Sequence, residues 1–363
     1  MKMPDIVIIG GGPAGLTAAI SAASSGAEVI IFERSPQIGG QLIKQTHMFF
    51  GSEKQYASHR GFEIADYLLD ELDKYKDNFK IYKNATVLGI YEDGVITVDV
   101  DGNYIKLMPK RIIVATGANE KIIAFPGNDL PGVYGAGAVQ TLMNVYGVKP
   151  ADKVLMVGAG NIGLIVSYQL MQAGVQVEAI ITDLFITGYH VHASKIARMG
   201  VPIKSGYTVK EVIGEEKVEK AIVSKIDDNW NIIEGTDIEY DVDAVCLSVG
   251  LSPLVELLGQ AGCEMKYITE LGGYVPTRDN NYQTTNPSIY VAGDITGIEE
   301  ASSAMVEGYI AGLTASKDIG YFHEKYNELL KDYKSQLNDL RSGPHSGRLR
   351  NGIEKLMGGV KSV

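Results

Sequence analysis

One glycine-rich turn, built twice, limits what this chain can fold into. The first copy lies in DIVIIGGGPAGLTAAISAASSGAEVIIFER (residues 5–34) and the second in KVLMVGAGNIGLIVSYQLMQAGVQV (residues 153–177). Each reads as a buried strand, a turn, a helix and the start of another strand. In the first copy Gly10 permits the tight turn, Gly12 lets a pyrophosphate approach the backbone, and Gly15 lets helix pack closely on strand. Free N–H groups and the macrodipole at the helix start favour an anion there. Glu33 ends the second strand about 20 residues after the turn, where a carboxylate can bond ribose hydroxyls. These features predict a dinucleotide site on residues 5–34.

The second copy puts Gly158, Gly160 and Gly163 in the same roles, with Asn161 and Ile162 on the turn. Its acid is displaced. Glu33 follows Gly26 by seven residues, whereas Asp183 follows Gly174 by nine, and the matching position is Ile181. A ribose role for Asp183 therefore stays open. The stretch IITDLFITGYH offers no Arg or Lys to pair a 2′-phosphate, and Asp183 would repel one, so NAD(H) is preferred over NADP(H). The alternative is a turn kept for packing that binds nothing.

At 363 residues the chain exceeds one ordinary core, so two domains are expected. A net charge of −11 argues against nucleic acid or an anionic membrane as partner, since both require clustered Lys and Arg. The opening MKMPDIVIIGGGPAGLTAAI has one Lys before an apolar run. Strand, turn and helix account for it better than a signal peptide, and no later stretch has the length to span a bilayer. A cytoplasmic protein is expected. Cys246, in YDVDAVCLSVG, reads as a buried thiol, and Cys263 follows a helix-like stretch. They form no C-x-x-C pair and are too few for an iron–sulfur cluster. Redox chemistry carried by protein sulfur is thereby excluded.

Between the two turns lie a loop (ERSPQIGGQLIKQTHMFFGSEKQYASHRG), a helix (FEIADYLLDELDKY), alternating strands (KIYKNATVLGIYE, VITVDVDGNYIKLMP) and a buried strand ending at Thr116 and Gly117. After the second turn come strands near EKAIVSKID and DAVCLSVG, the strand NPSIYVAGDI, and the helix EEASSAMVEGYIAGLTASKDI. From residue 317 the tail carries nine Lys or Arg against six Asp or Glu, a net +3 on an acidic chain. It begins as an amphipathic helix with Tyr326, Leu329, Leu330, Tyr333 and Leu337 on one face, then loses regularity. That face either packs on its own domain or meets a partner or second copy.

The ordered set IVIIGGGPAG, IGGQL, IIVATGA, VGAGNIG and IYVAGDI, over residues 5–316, resembles the pyridine nucleotide-disulfide oxidoreductase superfamily, flavoproteins with two dinucleotide domains. The short chain resembles its thioredoxin-reductase-like branch. The stretch ATGANEKIIAFPGNDLPGVYGAGAVQTLMNVYGVKP is most similar to alpha subunits of dye-linked L-proline or hydroxyproline dehydrogenase and of sarcosine oxidase. The resemblance implies an α/β fold of two Rossmann-like, three-layer (ββα) domains, the second inserted in the first. FAD would bind residues 1–119 and 253–320, NAD(P) residues 120–252, and a helical tail would span 321–363.

It further implies hydride transfer between a nicotinamide on the second fingerprint and a flavin on the first. Carried over by position, Gly10, Gly12, Pro13, Ala14 and Gly15 cradle the FAD pyrophosphate. Glu33, followed by Arg34, lies at the adenosine ribose, and Val87 meets adenine through its backbone. Gly40 and Gln41 run along the flavin, and Thr116 and Gly117 end a cofactor-side strand. Asp294, after Gly293, bonds the ribityl chain. Ala301 starts a helix whose N-terminus faces the flavin carbonyl and favours negative charge there.

Some departures accompany the resemblance. The branch's disulfide reductases carry a C-x-x-C, absent here. Sarcosine oxidase alpha subunits are far longer, with a folate-binding part. Hydroxyproline-type subunits often carry a cysteine-rich C-terminal domain, and this tail has no cysteine. The expectation is an FAD-dependent, NAD(H)-linked oxidoreductase acting as electron-transfer subunit of an amine or amino-acid dehydrogenase-type complex, beside a redox partner protein or second subunit. A homo-oligomer stays open. The alternatives are a stand-alone ferredoxin–NAD(P)+ reductase and a non-catalytic FAD scaffold subunit.

The flavin carries the chemistry, so no catalytic side chain is required. His47, and with it His59, lies after GGQ near the expected flavin and is a candidate for proton transfer, against the plainer reading of a loop histidine. His190 and His192, two apart, have no third ligand nearby in sequence, so no metal site is expected.

Overall fold

The strand before each glycine turn is apolar throughout, apart from the exposed Lys153 that starts the second, because both of its faces are covered, as central strands of parallel sheets require. In the computed structural model, which describes residues 3–183, 185–343 and 346–358, Ile6 and Ile8 face a core shared with the helices Pro13–Ser24, Gly61–Asp73 and Ala301–Asp318. Val7 and Ile9 face a second core closed by the antiparallel strands Ala85–Ile90, Ile96–Val100 and Asn103–Leu107. The period-2 alternation of a strand thus serves two cores at once. The sheet they share is all parallel, in the order Ile289–Val291, Arg111–Val114, Ile6–Ile9, Val29–Phe32, Phe79–Tyr82.

The second unit repeats the plan. Its parallel sheet runs Ile203–Ser205, Gln176–Thr182, Lys153–Val157, Ala244–Leu247, Val133–Gly135. Val154 and Met156 face the helix side, and Leu155 and Val157 face the antiparallel strands Tyr207–Ile213, Lys220–Lys225 and Ile238–Asp241. By contacts the chain divides into Met1–Asn119 with Ser252–Val363, and Glu120–Leu251. The fold is α/β, two three-layer units with the second inserted in the first. No described helix is long and apolar enough to cross a membrane.

In the first unit the fingerprint helix Pro13–Ser24 and the late helix Ala301–Asp318 touch backbone to backbone. A Cβ on Gly308 would overlap Thr17 Oγ1 and the Ala14 carbonyl, and one on Gly312 would overlap the Ala18 carbonyl. Advancing four residues on one helix advances four on the other, so the two run parallel and their N-termini lie at the same end.

The tail belongs to this unit. The helix Tyr326–Leu340 buries Leu337 and packs Leu330 and Tyr333 on the helix-side core, with Tyr333 stacked on Tyr309 at 5.0 Å. Beyond it the sequence loses its period, yet the structure forms a further helix, Gly347–Met357. Its apolar residues Leu349, Ile353 and Leu356 cover Ile268, Leu271 and Val275. A glycine in the middle of this helix breaks the run of helix-forming residues and obscures it in sequence. That glycine, Gly352, is where the helix rests on Leu271; a Cβ there would come within 2.8 Å of the leucine.

The helix contact yields a test by urea unfolding. Gly312→Ala overpacks the crossing and should lower stability by about 1–3 kcal/mol. Gly259→Ala, in the helix Glu256–Gln260 with nothing within 4 Å of the added methyl, should be neutral or gain up to about 1 kcal/mol.

Candidate nucleotide cradles

Sterics fix the first turn glycine by glycine. Gly10 sits at φ +106°, and a Cβ there would overlap the Ala115 carbonyl; one on Gly15 would overlap the carbonyl of Gly10 itself. Gly12 is different. Among the described residues other than its chain neighbours, the only atom within 4 Å of a Cβ there is Gly40 Cα, at 3.8 Å, so this position is open. Pro13 occupies the first helical turn, where its missing N–H costs nothing, and Ala14 is buried behind it. The GGQ turn closes onto the same place: Gly39 N–H donates to the Gly11 carbonyl at 2.8 Å. Gly40 lies at φ +55°, where a Cβ would come 2.8 Å from Gly12 Cα. Gln41 is exposed beside it.

Glu33 is buried, and its two carboxylate oxygens accept from Gly11 N–H and Ser35 N–H, both at 2.8 Å. The carboxylate therefore braces the turn, and it retains lone pairs for ribose hydroxyls. Arg34 points to solvent. The Glu33 carbonyl accepts from Ala85 N–H at 2.9 Å, which brings the strand carrying half-buried Val87 to this end of the sheet. Thr116 and Gly117 are engaged locally: the Thr116 hydroxyl donates to the Leu254 carbonyl at 2.8 Å, and the Gly117 carbonyl accepts from Leu254 N–H at 3.0 Å.

At the far end of the cradle Gly293 rests on the fingerprint helix, a Cβ there falling 2.9 Å from Ala14 Cβ. Asp294 follows, and one carboxyl oxygen accepts from Glu299 N–H at 3.3 Å. Burial, with the neighbouring carboxylates of Glu307, Glu299 and Glu300, pushes its carboxyl up from 3.8 to about 7. Ala301 opens the late helix, whose N-terminal N–H groups lie at the same end as those of Pro13–Ser24. His47 stacks its ring on Phe49 at 5.4 Å, and His59 meets Tyr67 edge-on at 5.1 Å. Aromatic neighbours position both histidines.

The second unit builds its turn by the same rules. Gly158, at φ +108°, would overlap the Ser248 carbonyl with a Cβ, and Gly163 would overlap the carbonyl of Gly158. Gly160 is open, its nearest contact being Thr187 Oγ1 at 3.5 Å. Asn161 starts the helix Asn161–Gln172, and its side-chain carbonyl accepts from Tyr189 N–H at 2.7 Å; Ile162 is exposed. Gly188 N–H donates to the Ala159 carbonyl at 2.9 Å, so residues 187–189 lie along the turn.

The displaced acid has a geometric cause. Strand pairing runs Val154 to Val177 and then Leu155 to Ala179, a bulge of one residue at Glu178. The residue in register with Glu33 is therefore Thr182, one beyond the Ile181 that counting gives. Gly10 N–H bonds the Phe32 carbonyl and Gly158 N–H bonds that of Ile181, which fixes the equivalence. Thr182 donates its hydroxyl to Asp183 Oδ1 at 3.1 Å, so hydroxyl and carboxylate share the end of the strand.

Both cysteines are buried free thiols, and burial pushes each thiol up, away from the reactive thiolate. Among the described residues no group of three or more His, Cys, Asp or Glu is placed to hold a metal ion. His190 Nδ1 lies 3.1 Å from Ser194 Oγ, one helical turn away. Sequence reading missed Glu307, a charge in the middle of a buried small-residue helix, and Glu120, whose carboxylate accepts from Gly137 and Ala138 N–H at 2.6 and 3.2 Å. The sequence signal for Glu307 is an acid where the surrounding pattern is small or apolar; Glu120, between Asn119 and Lys121, gives none.

The first cradle fits a flavin dinucleotide: an open glycine lies between two forced ones, a buried carboxylate closes the strand, and a half-buried acid follows Gly293. The second fits a pyridine dinucleotide by the same open glycine. Fold and cradles together define a protein of two units, each with the glycine turn of a dinucleotide-binding domain. The chain belongs to the pyridine nucleotide-disulphide oxidoreductase family, which it matches over residues 4–308.

It is similar to one of the opine oxidase subunits of Rhizobium meliloti, 28% identical over 338 residues covering 87% of this chain and 63% of that protein. It is also similar to an NADH oxidase of Methanocaldococcus jannaschii, 26% identical over 359 residues covering 93% and 75%. Among solved structures, L-proline dehydrogenase from P. horikoshii superposes with a TM-score of 0.70 at 27% identity, over 91% of this chain and 59% of that one. The chain thus spans less than two-thirds of the length of that opine oxidase protein, and likewise of that dehydrogenase.

Asp294 gives a pH test. Its carboxyl binds protons more tightly folded than unfolded, so its contribution is fully present below about pH 4 and is lost as pH rises through about 7. Asp294→Asn should remove this slope. Melting temperatures of the flavin-free chains should diverge above pH 7 in favour of the variant and draw together toward pH 4.

Proposed function

We propose that this chain is an FAD-dependent oxidoreductase that exchanges electrons with NAD(H) and serves as the electron-transfer subunit of an amine or amino-acid dehydrogenase-type complex. The observation that carries this reading is the doubled cradle. In both units the flanking glycines are forced by backbone contacts while the central one, Gly12 or Gly160, is left open. Packing alone explains Gly10, Gly15, Gly158 and Gly163. It does not explain the open pair, where any small residue would fit.

Flavin and nicotinamide, when bound, supply the hydride chemistry. The protein's part is to hold and orient them. In the first unit the fingerprint and late helices present their N-terminal N–H groups at one end, Glu33 stands ready for ribose hydroxyls, and Asp294 for the sugar-alcohol chain. In the second, Thr182 and Asp183 offer a hydroxyl and a carboxylate, and residues 185–190 contain no Lys or Arg, which favours NAD(H) over NADP(H). The similarity to an oxidase subunit supports a partner chain that handles the organic substrate.

Anaerobic mixing with NADH tests the reading. The visible flavin absorbance should bleach, and NADPH should act more slowly. Gly12→Val should yield a folded chain that purifies without flavin. Gly160→Val should keep its flavin and bleach about 100-fold more slowly, the scale lost when a reacting group is misplaced by about an ångström. A yellow protein that NADH leaves unbleached would remove the nicotinamide half of the proposal, and a colourless one that refuses added FAD would remove all of it.

A further inference from the structure

The buried carboxylate of Glu307 and the backbone N–H of Glu299 hold the segment that follows Gly293. Glu307, only 2% exposed, accepts from Gly293 N–H at 2.8 Å and Thr296 Oγ1 at 3.0 Å through one oxygen, and from the Tyr282 hydroxyl at 2.8 Å through the other. Glu299, whose side chain is 8% exposed, donates its backbone N–H to Asp294. Arg341 joins the two. Its Nη2 reaches Glu299 Oε1 at 2.5 Å and Glu307 Oε1 at 2.6 Å, and its Nε reaches Glu299 Oε2 at 3.0 Å. The guanidinium fork suits this bidentate task, which a point charge on a flexible stem does less well. Without it, two carboxylates would face each other in a low-dielectric surrounding with neither negative charge compensated.

Arg341 lies at the end of the tail helix Tyr326–Leu340, beyond the family match at residues 4–308. The same helix reaches the other side of the cradle. Asp332 pairs with Lys54 at 2.9 Å and Gln336 bonds Gln55 at 2.5 Å, both in the loop after the GGQ turn.

We propose that Arg341 is a positioning residue for the first cradle: by neutralising Glu299 and Glu307 together, the tail fixes the Gly293–Glu299 segment, and with it Asp294 and the start of the late helix, toward the dinucleotide. This rests on the flavin reading of that cradle. Removing the arginine leaves one more uncompensated negative charge beside the segment, which disfavours electrons on a nearby flavin.

The test uses the full chain and Arg341→Gln. Without added flavin, amide exchange in peptides covering residues 289–300 should quicken about tenfold or more, as the opening of that segment becomes easier. With flavin, the FAD dissociation constant should rise about tenfold, and the midpoint potential should fall by about 30 mV, a tenfold change for a two-electron couple. Arg341→Lys should restore part of each effect. The double variant Glu299→Gln/Arg341→Gln, which removes the surplus charge, should recover most of the potential.

Unchanged exchange would overturn the proposal. So would faster exchange with unaltered FAD affinity and potential, since Arg341 would then be holding the fold alone. A wild-type chain that refuses FAD would overturn the flavin reading and the cofactor half of this one. The exchange comparison would still decide whether Arg341 holds the segment.

Discussion

The contact on which the first unit depends is the backbone-level crossing of Pro13–Ser24 and Ala301–Asp318. Gly308 and Gly312 let the late helix lie directly against Ala14, Thr17 and Ala18. Because the pair is parallel, both positive dipole ends point the same way, with the late helix starting about six residues, roughly 9 Å, before the level of Pro13. A single helix start attracts an anion; a pair set side by side can hold a long, charged ligand by its middle and its far end. Any side chain at these glycines would separate the helices and spoil that alignment before any cofactor contact was lost.

Around that crossing the acids are gathered closely. Asp294, Glu299, Glu300 and Glu307 gather around the start of the late helix, Glu307 and the Glu299 side chain buried and Asp294 half-buried, where helix dipoles favour carboxylates. The dipole alone would not balance so many negative charges. Arg341 balances two, and Asp294 remains an acid whose proton is held close to neutrality.

Much of the fold was legible in the sequence because its causes are local. The turn glycines answer to clashes with atoms a few residues or one neighbouring strand away, and the runs IVII and KVLMV announce strands covered on both sides. The rest depends on distant partners. Glu307 and Arg341 stand 34 positions apart, and nothing in either neighbourhood points to the other. The helix Gly347–Met357 does carry a stripe, Leu349, Ile353 and Leu356, but Gly352 in its middle reads as a breaker until Leu271 is placed beneath it. In the second unit a one-residue bulge at Glu178 defeats counting, so spacing selects Ile181 where the register selects Thr182.

That bulge makes the two cradles unequal. One strand ends in a buried carboxylate braced by two backbone N–H groups, with a loop bonded over it. The other ends in a neutral hydroxyl and an acid outside the matching register. A charged acceptor grips sugar hydroxyls roughly twice as strongly as a neutral one. On the proposed reading, the tight end suits a tenant that stays for the life of the protein, and the looser end suits a visitor that must leave once it has delivered its electrons.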